Sequence, residues 1–372
     1  MKEQLKKLAK QILLYSLKIK GKENLLIEVI GKDGIPLAKE IMIEAQKLNV
    51  NTFFNIVDYS LLKSLLANAN EDQIKLYAKH DLSRMKDMDA YVGISSKKCE
   101  NEFFSIPLEK MQMYNKYYIS KVHLEERLKK KWCILRYPNS FFAKKNKMTL
   151  KEAKDYYFNV CNMDYEKMSN AMNTLVDMLN KTDKVRITGV DTELTFSIKG
   201  IKAEKYVGNF NLPDGEVATA PIKTSVNGYI TYNTQSIYNG IVFNNIRFEF
   251  KDGKIIKATS NHSKELNEIL DTDEGSRFIG EFAFGLNPYI LNVSGDTLFD
   301  EKVCGSFHFT PGEALKESDN GNRSAIHWDI VNIQTEKYGG GEIWLDNTLI
   351  RKNGKFIPKN LQPLNPENLR SI

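Results

Sequence analysis

A chain of 372 residues with 42% hydrophobic and 27% charged side chains has ordinary globular composition and length enough for two cored domains. Its formal charge of +6 is spread over many segments, and no arginine-rich patch or basic-aromatic platform marks a nucleic-acid surface. No run approaches the roughly 20 apolar residues of a membrane helix, and the four cysteines form neither a CxxC pair nor a disulfide framework, so a cytoplasmic protein with reduced thiols is expected.

The N-terminus, MKEQLKKLAKQILLYSLKIK, spaces Leu5, Leu8, Ile12 and Leu13 for an amphipathic helix and has no apolar core or cleavage site of a signal peptide. Apolar runs at 25–30, 51–58, 90–96 and 131–138 predict strands separated by helices, one of which opens at Pro36. That alternation predicts an α/β domain with a mostly parallel sheet. Neither GxGxxG nor GxxxxGK[ST] follows any of these strands, which argues against a nucleotide-dependent oxidoreductase.

Between 148 and 181 two helices are expected. Thr149 and Glu152 have the spacing of a capping box, and Tyr165, Met168, Met172, Leu175 and Leu179 mark a core stripe. The pattern changes near 183, where VRITGV and TELTFSI alternate with period two. Asn227-Gly228, Asp252-Gly253 and Asn353-Gly354 then read as hairpin turns. The expected organisation is an α/β domain over 1–182 and a β-rich (α+β) metal-binding domain over 183–372.

The chemistry concentrates in 271–329. His327 and Asp329, two apart in HWD, would project together from one face of a strand, with Trp328 packing behind. His308 lies between aromatics in GSFHFTPG. Glu281 in GEFAFGLNP, and Glu216 upstream in GEVATAP, each follow a glycine and lead an apolar run. Taken singly, these residues read equally as a His–Asp hydrogen bond, a core histidine and strand-end glutamates paired to lysine or arginine. Together, two buried glutamates, two histidines and an aspartate match the needs of a dinuclear metallohydrolase.

GEVATAP, DTDEGSRFIGEFAFGLNP, TLFDEKVCGSFHFTPG and SAIHWDIV, in this order, resemble the aminopeptidase T / aminopeptidase S family. The resemblance implies an α/β domain followed by a β-rich domain, and a cytoplasmic homodimer that removes N-terminal residues from peptides without nucleic-acid or membrane partners. It further implies two divalent ions (Zn, Co or Mn), with Glu216, Glu281, His308, His327 and Asp329 as ligands and Glu281 as the bridge. Glu301, a carboxylate outside that set, is the candidate proton shuttle. A catalytically weak, metal-containing peptide-binding protein is the alternative. The family commonly has a tyrosine seven residues beyond His308, where this chain has Leu315; Tyr289 and Tyr338 are the phenols to inspect in its place.

Overall fold

The apolar runs of the first half form four parallel strands, β1 (Asn24–Ile30), β2 (Asn51–Val57), β3 (Ala90–Ser95) and β4 (Lys131–Arg136). They belong to a computed structural model that describes residues 1–99, 102–103 and 105–370. The sheet order is β2-β1-β3-β4, with a short parallel strand at Asn211–Leu212 beside β4. Every position of β3 is buried, as a central strand covered on both faces requires. The helix Ile35–Lys47 carries proline in its first turn, while Asp58 and Asn70 cap Tyr59–Asn68 and Glu71–Lys86 with their side chains. Leu5, Leu8, Ile12 and Leu13 are all buried, and the N-terminal helix continues from Lys2–Lys10 through a π-helical stretch at Gln11–Ser16.

One compact unit comprises Met1–Asn162 with Gly208–Leu212, and a second comprises Met163–Val207 with Pro213–Ile372. The division therefore falls about a helix earlier than the change of periodicity near 183. Tyr165–Leu179 is helical like the region before it, but its buried stripe of Tyr165, Met168, Met172, Leu175 and Leu179 packs on strands of the second unit. Its burial, rather than its helical period, decides where it belongs. The capping box of Thr149 and Glu152 opens Leu150–Cys161 as expected.

The second unit holds two large antiparallel sheets and a two-stranded ribbon of Ser236–Tyr238 with Ile241–Phe243. The larger has eight strands and includes Lys184–Gly189 and Thr192–Ser197 at its centre. The smaller consists of β5 (Glu204–Tyr206), β6 (Glu216–Thr219), β7 (Ile279–Gly285), β8 (Ser306–Pro311) and β9 (Val331–Ile333), in the order β9-β8-β7-β6-β5. Phe196 of the larger sheet meets Phe282 and Phe309 of the smaller at ring separations of 5.2 Å in both cases. One face of the five-stranded sheet is thus committed to the aromatic core.

Asp252-Gly253 and Asn353-Gly354 turn hairpins, with both residues of each pair at positive φ. Asn227-Gly228 does not; it opens the strand Asn227–Thr231. Gly228 has φ +108°, and a Cβ there would lie 2.0 Å from the Glu193 carbonyl oxygen, so this glycine serves a close approach between strands. Among the described residues no helix is long and apolar enough to cross a membrane.

Candidate metal centre

Alternation along β6, β7 and β8 sorts their side chains onto two faces. Val217, Phe282, Phe284, Phe307 and Phe309 are fully buried on the core side. The opposite face carries Glu216, Glu281, His308 and Thr310. The register pairs Gly285 with Glu216, Ala283 with both Ala218 and His308, and Glu281 with Thr310. Gly285 must be small, because a Cβ there would come within 2.3 Å of the Val303 carbonyl oxygen. A register shift between Ile279 and Glu281 marks a bulge where β7 delivers its glutamate.

Glu281 joins two groups of side chains. Its Oε1 lies 3.3 Å from His308 Nε2, and its Oε2 lies 3.1 Å from His327 Nε2. Glu216 Oε2 stands 3.7 Å from His308 Nε2, and Asp329 Oδ1 stands 3.2 Å from His327 Nε2. Two triads result, Glu216–Glu281–His308 and Glu281–His327–Asp329, each with donor atoms within 4.8 Å of one another. Glu216 Oε2 is buried with no hydrogen-bond partner.

His327 and Asp329 do project together, although the segment is extended chain with one bridge, His327 to Gly312, rather than a strand. Trp328 packs behind them against Tyr238 and Phe243 and donates its indole N–H to Ser236 Oγ over 2.9 Å. His327 Nδ1 lies 2.8 Å from the Glu313 carbonyl. A carbonyl only accepts, so Nδ1 carries a proton and donates it there, which leaves Nε2 facing the cluster as the atom that would ligate an ion. Thr310 Oγ1 donates to Asp329 Oδ1 over 2.8 Å and fixes that carboxylate.

Crowding sets the electrostatics. Burial pushes the Glu216 carboxyl up to about 7 against the opposing pull of Lys302 and His308. Burial also raises Glu301 well above the usual carboxylate range. Burial works the same way on Glu281, but its hydrogen bonds to His308 and His327 outweigh it and the net shift is downward. Desolvation disfavours the His308 cation, yet Glu281, Glu216 and Asp329 together raise it to about 9. Carboxyl groups outnumber the cationic side chains on this face, so protons are driven onto Glu216 and Glu301 by burial and onto His308 and His327 by the neighbouring carboxylates.

The sequence reading missed four contributors. Lys302 is 1% exposed and contacts Glu216, Glu301 and Asp214. Thr310 and the Glu313 carbonyl orient donors, and neither is recognisable before the register is known. Tyr206 of β5 pairs with Glu216 of β6, and its phenol is held neutral by burial and by the charges of Glu281 and Glu216. Tyr338 instead points its hydroxyl to Asn292, and the Tyr289 ring lies under the Arg370 guanidinium. Leu315 is half-buried at the start of the short 3₁₀ turn Lys316–Ser318.

A face of carboxylate and imidazole donors on a β-rich unit has the ligand chemistry of a divalent-metal site. The chain belongs to the thermophilic metalloprotease (M29) family, whose description matches residues 1–356. Aminopeptidase T of Thermus thermophilus is 35% identical over 167 residues, covering 40% of this chain and 40% of that protein. Aminopeptidase 2 of Geobacillus stearothermophilus is 30% identical over 164 residues, covering 40% of this chain and 38% of that protein. The chain thus matches well under half the length of these relatives. Among solved structures, wild-type AmpT from Thermus thermophilus superposes with a TM-score of 0.79 at 20% identity, over 96% of this chain and 100% of that one. A 2,5-dihydroxypyridine dioxygenase from Pseudomonas putida gives 0.62 at 13% identity, over 97% and 99%. These two likenesses show the fold alone, and chemistry has to be read from the donors.

Proposed function

We propose that this chain is a metal-dependent aminopeptidase that releases N-terminal residues from peptides at a dinuclear centre. The pair of triads joined through the two oxygens of Glu281 carries this reading. Glu216, Glu281 and His308 would hold one divalent ion, and Glu281, His327 and Asp329 the other. The residues present fit such ions. Glu216 Oε2 is buried and unpartnered; the carboxylates of Asp214, Glu216 and Glu301 share the Lys302 ammonium, while among the described residues Glu281 and Asp329 meet only the imidazoles of His308 and His327 and the Thr310 hydroxyl. Two divalent cations would bring that cluster to neutrality, where an uncompensated buried charge is costly. Mixed nitrogen and oxygen donors suit Zn, Co or Mn.

When bound, the ions supply Lewis acidity and lower the pKa of water toward about 7. His327 is held by Glu313 with Nε2 inward, and Asp329 is held by Thr310, so neither donor needs to reorganise. Glu301 lies beside the cluster but outside both triads and is the carboxylate that carries a proton to the leaving amine. Tyr206 is the phenol that hydrogen-bonds the substrate, in place of the family's tyrosine that Leu315 replaces. The complete donor set speaks against a catalytically silent peptide-binding protein. A homodimer is supported by the apolar edge strand β2, which exposes Phe53, Phe54 and Ile56. Buried Cys133, Cys161 and Cys304, none disulfide-bonded, are in keeping with the cytoplasm.

The test is ion quantification together with hydrolysis of leucine p-nitroanilide and its N-acetylated form. About two ions per chain are expected, with activity lost on chelation, restored by Zn, Co or Mn, and absent on the blocked substrate. Cleavage by a demonstrably ion-free sample would overturn the proposal.

A further inference from the structure

Lys302 occupies a position that a folding argument does not explain. Its backbone is pinned on both sides, its N–H donating to Phe299 O over 3.1 Å and its carbonyl accepting from Asn287 N over 3.0 Å. Its Nζ lies 2.5 Å from Glu216 Oε1, 2.8 Å from Glu301 Oε1 and 3.6 Å from Asp214 Oδ1. An ammonium has three donors, and all three here face carboxylates. Apolar packing of similar volume is often as stable as a buried ion cluster, so stability alone does not account for Lys302.

The consequence is a division of oxygens. Lys302 takes Oε1 of Glu216 and leaves Oε2, the unpartnered atom, on the side of His308. It also takes Oε1 of Glu301, and among the described residues Glu301 joins neither triad of donors. We propose that Lys302 is a positioning residue that partitions the buried carboxylates between two tasks, limiting Glu216 to one ligating oxygen and keeping Glu301 off the ions as the proton carrier. The inference rests on the dinuclear reading and adds to it a fixed third cation that competes with the ions for oxygens. Without that cation, Glu216 is free to chelate through both oxygens, and Glu301 is free to become a ligand. The site would then keep its ions and lose its proton carrier.

Lys302→Met and Lys302→Arg, loaded with Co(II), test this, because the visible absorption of Co(II) weakens as its coordination number rises. The wild type is measured first, and failure of the wild type to bind ions or to cleave peptides would refute the dinuclear reading rather than the role of Lys302. Lys302→Met is expected to retain the wild-type ion content, to absorb more weakly, and to lose about ten- to a hundredfold in kcat with KM little changed. Lys302→Arg, which keeps the charge, should recover part of both. Loss of an ion, or wild-type absorption and kcat in Lys302→Met, overturns the proposal. Should Lys302→Met not fold, Glu301→Gln decides. Wild-type Co(II) absorption with reduced kcat supports an unligated proton carrier, and an altered spectrum shows Glu301 to be a ligand and overturns it.

Discussion

Two buried glutamates, one in each unit, separate structure from chemistry. Glu28 in β1 is 4% exposed and Glu216 in β6 is 6% exposed, so burial does not distinguish them. Glu28 accepts from Asn55 Nδ2 over 2.8 Å on one oxygen and from the Tyr91 hydroxyl over 2.7 Å on the other. Glu216 has Lys302 on one oxygen and no hydrogen-bond partner on the second. Buried polar atoms are almost always paired, so the missing partner is the informative observation. The parallel sheet uses a carboxylate as a completed internal contact. The antiparallel face leaves one open beside His308 and Glu281.

Removing one carboxylate from each unit should separate the two roles most clearly. Glu281→Gln takes away the group shared by both triads and should lower kcat by more than about 100-fold with loss of bound ion, since even residues that only orient ligands are worth 10–100-fold. Glu28→Gln should leave turnover within about twofold while costing roughly 1–3 kcal/mol of stability as its hydrogen bonds are disrupted. Kinetics, ion content and thermal melts on the two variants check both statements. Equal losses of activity would show that buried glutamates in the two units are not functionally different.

A smaller effect is expected at Tyr206. In the proposed reaction its phenol would give one hydrogen bond to a charged group, worth about 1.5–3 kcal/mol, so Tyr206→Phe should reduce kcat by roughly ten- to a hundredfold with both ions retained. Unchanged kcat at full ion content would remove Tyr206 from the reaction.

The ion-free protein should also respond to pH through the crowded face. His308 is raised from 6.5 to about 9 in the folded chain, so its contribution is complete below about 6.5 and is lost as pH rises through 9. Glu216 is raised from 4.5 to about 7, so its contribution is complete below 4.5 and is lost through about 7. Both act in one direction, and chelated protein should melt at progressively lower temperature from pH 5 to 9. Ion binding requires the same groups without their protons, so the stabilisation gained on adding Zn should grow over that range. A flat melting profile for chelated protein would contradict the assignment.

The smallest effect is expected at Leu315. It is half-buried at the start of a short 3₁₀ turn and belongs to neither triad of donors. Leu315→Tyr should leave kcat unchanged and shift stability by no more than about 1 kcal/mol. A clear gain in kcat at constant ion content would place the missing phenol at 315 after all.

Local residue order is enough to assign the faces. Alternation in GEVATAP, GEFAFG and SFHFTP puts aromatic residues on one side and Glu216, Glu281 and His308 on the other, because the two-residue period of a strand is a local property. It likewise determined the capping box at Thr149, the stripe from Tyr165 to Leu179, and the hairpins at Asp252-Gly253 and Asn353-Gly354. Only the tertiary structure decided which faces meet and in what register. The bulge before Glu281 and the burial of Lys302 depend on segments far apart in the chain, and the pairing of Tyr206 with Glu216 depends on the register between two strands. In sequence, Lys302 is one more lysine in DEKV. Asn227-Gly228 carries a turn signal that strand pairing overrides, and Tyr165–Leu179 reads as part of the helical half until its buried face is seen to pack on β5 and β6. Local periodicity fixes where a side chain points, and long-range packing fixes what it meets.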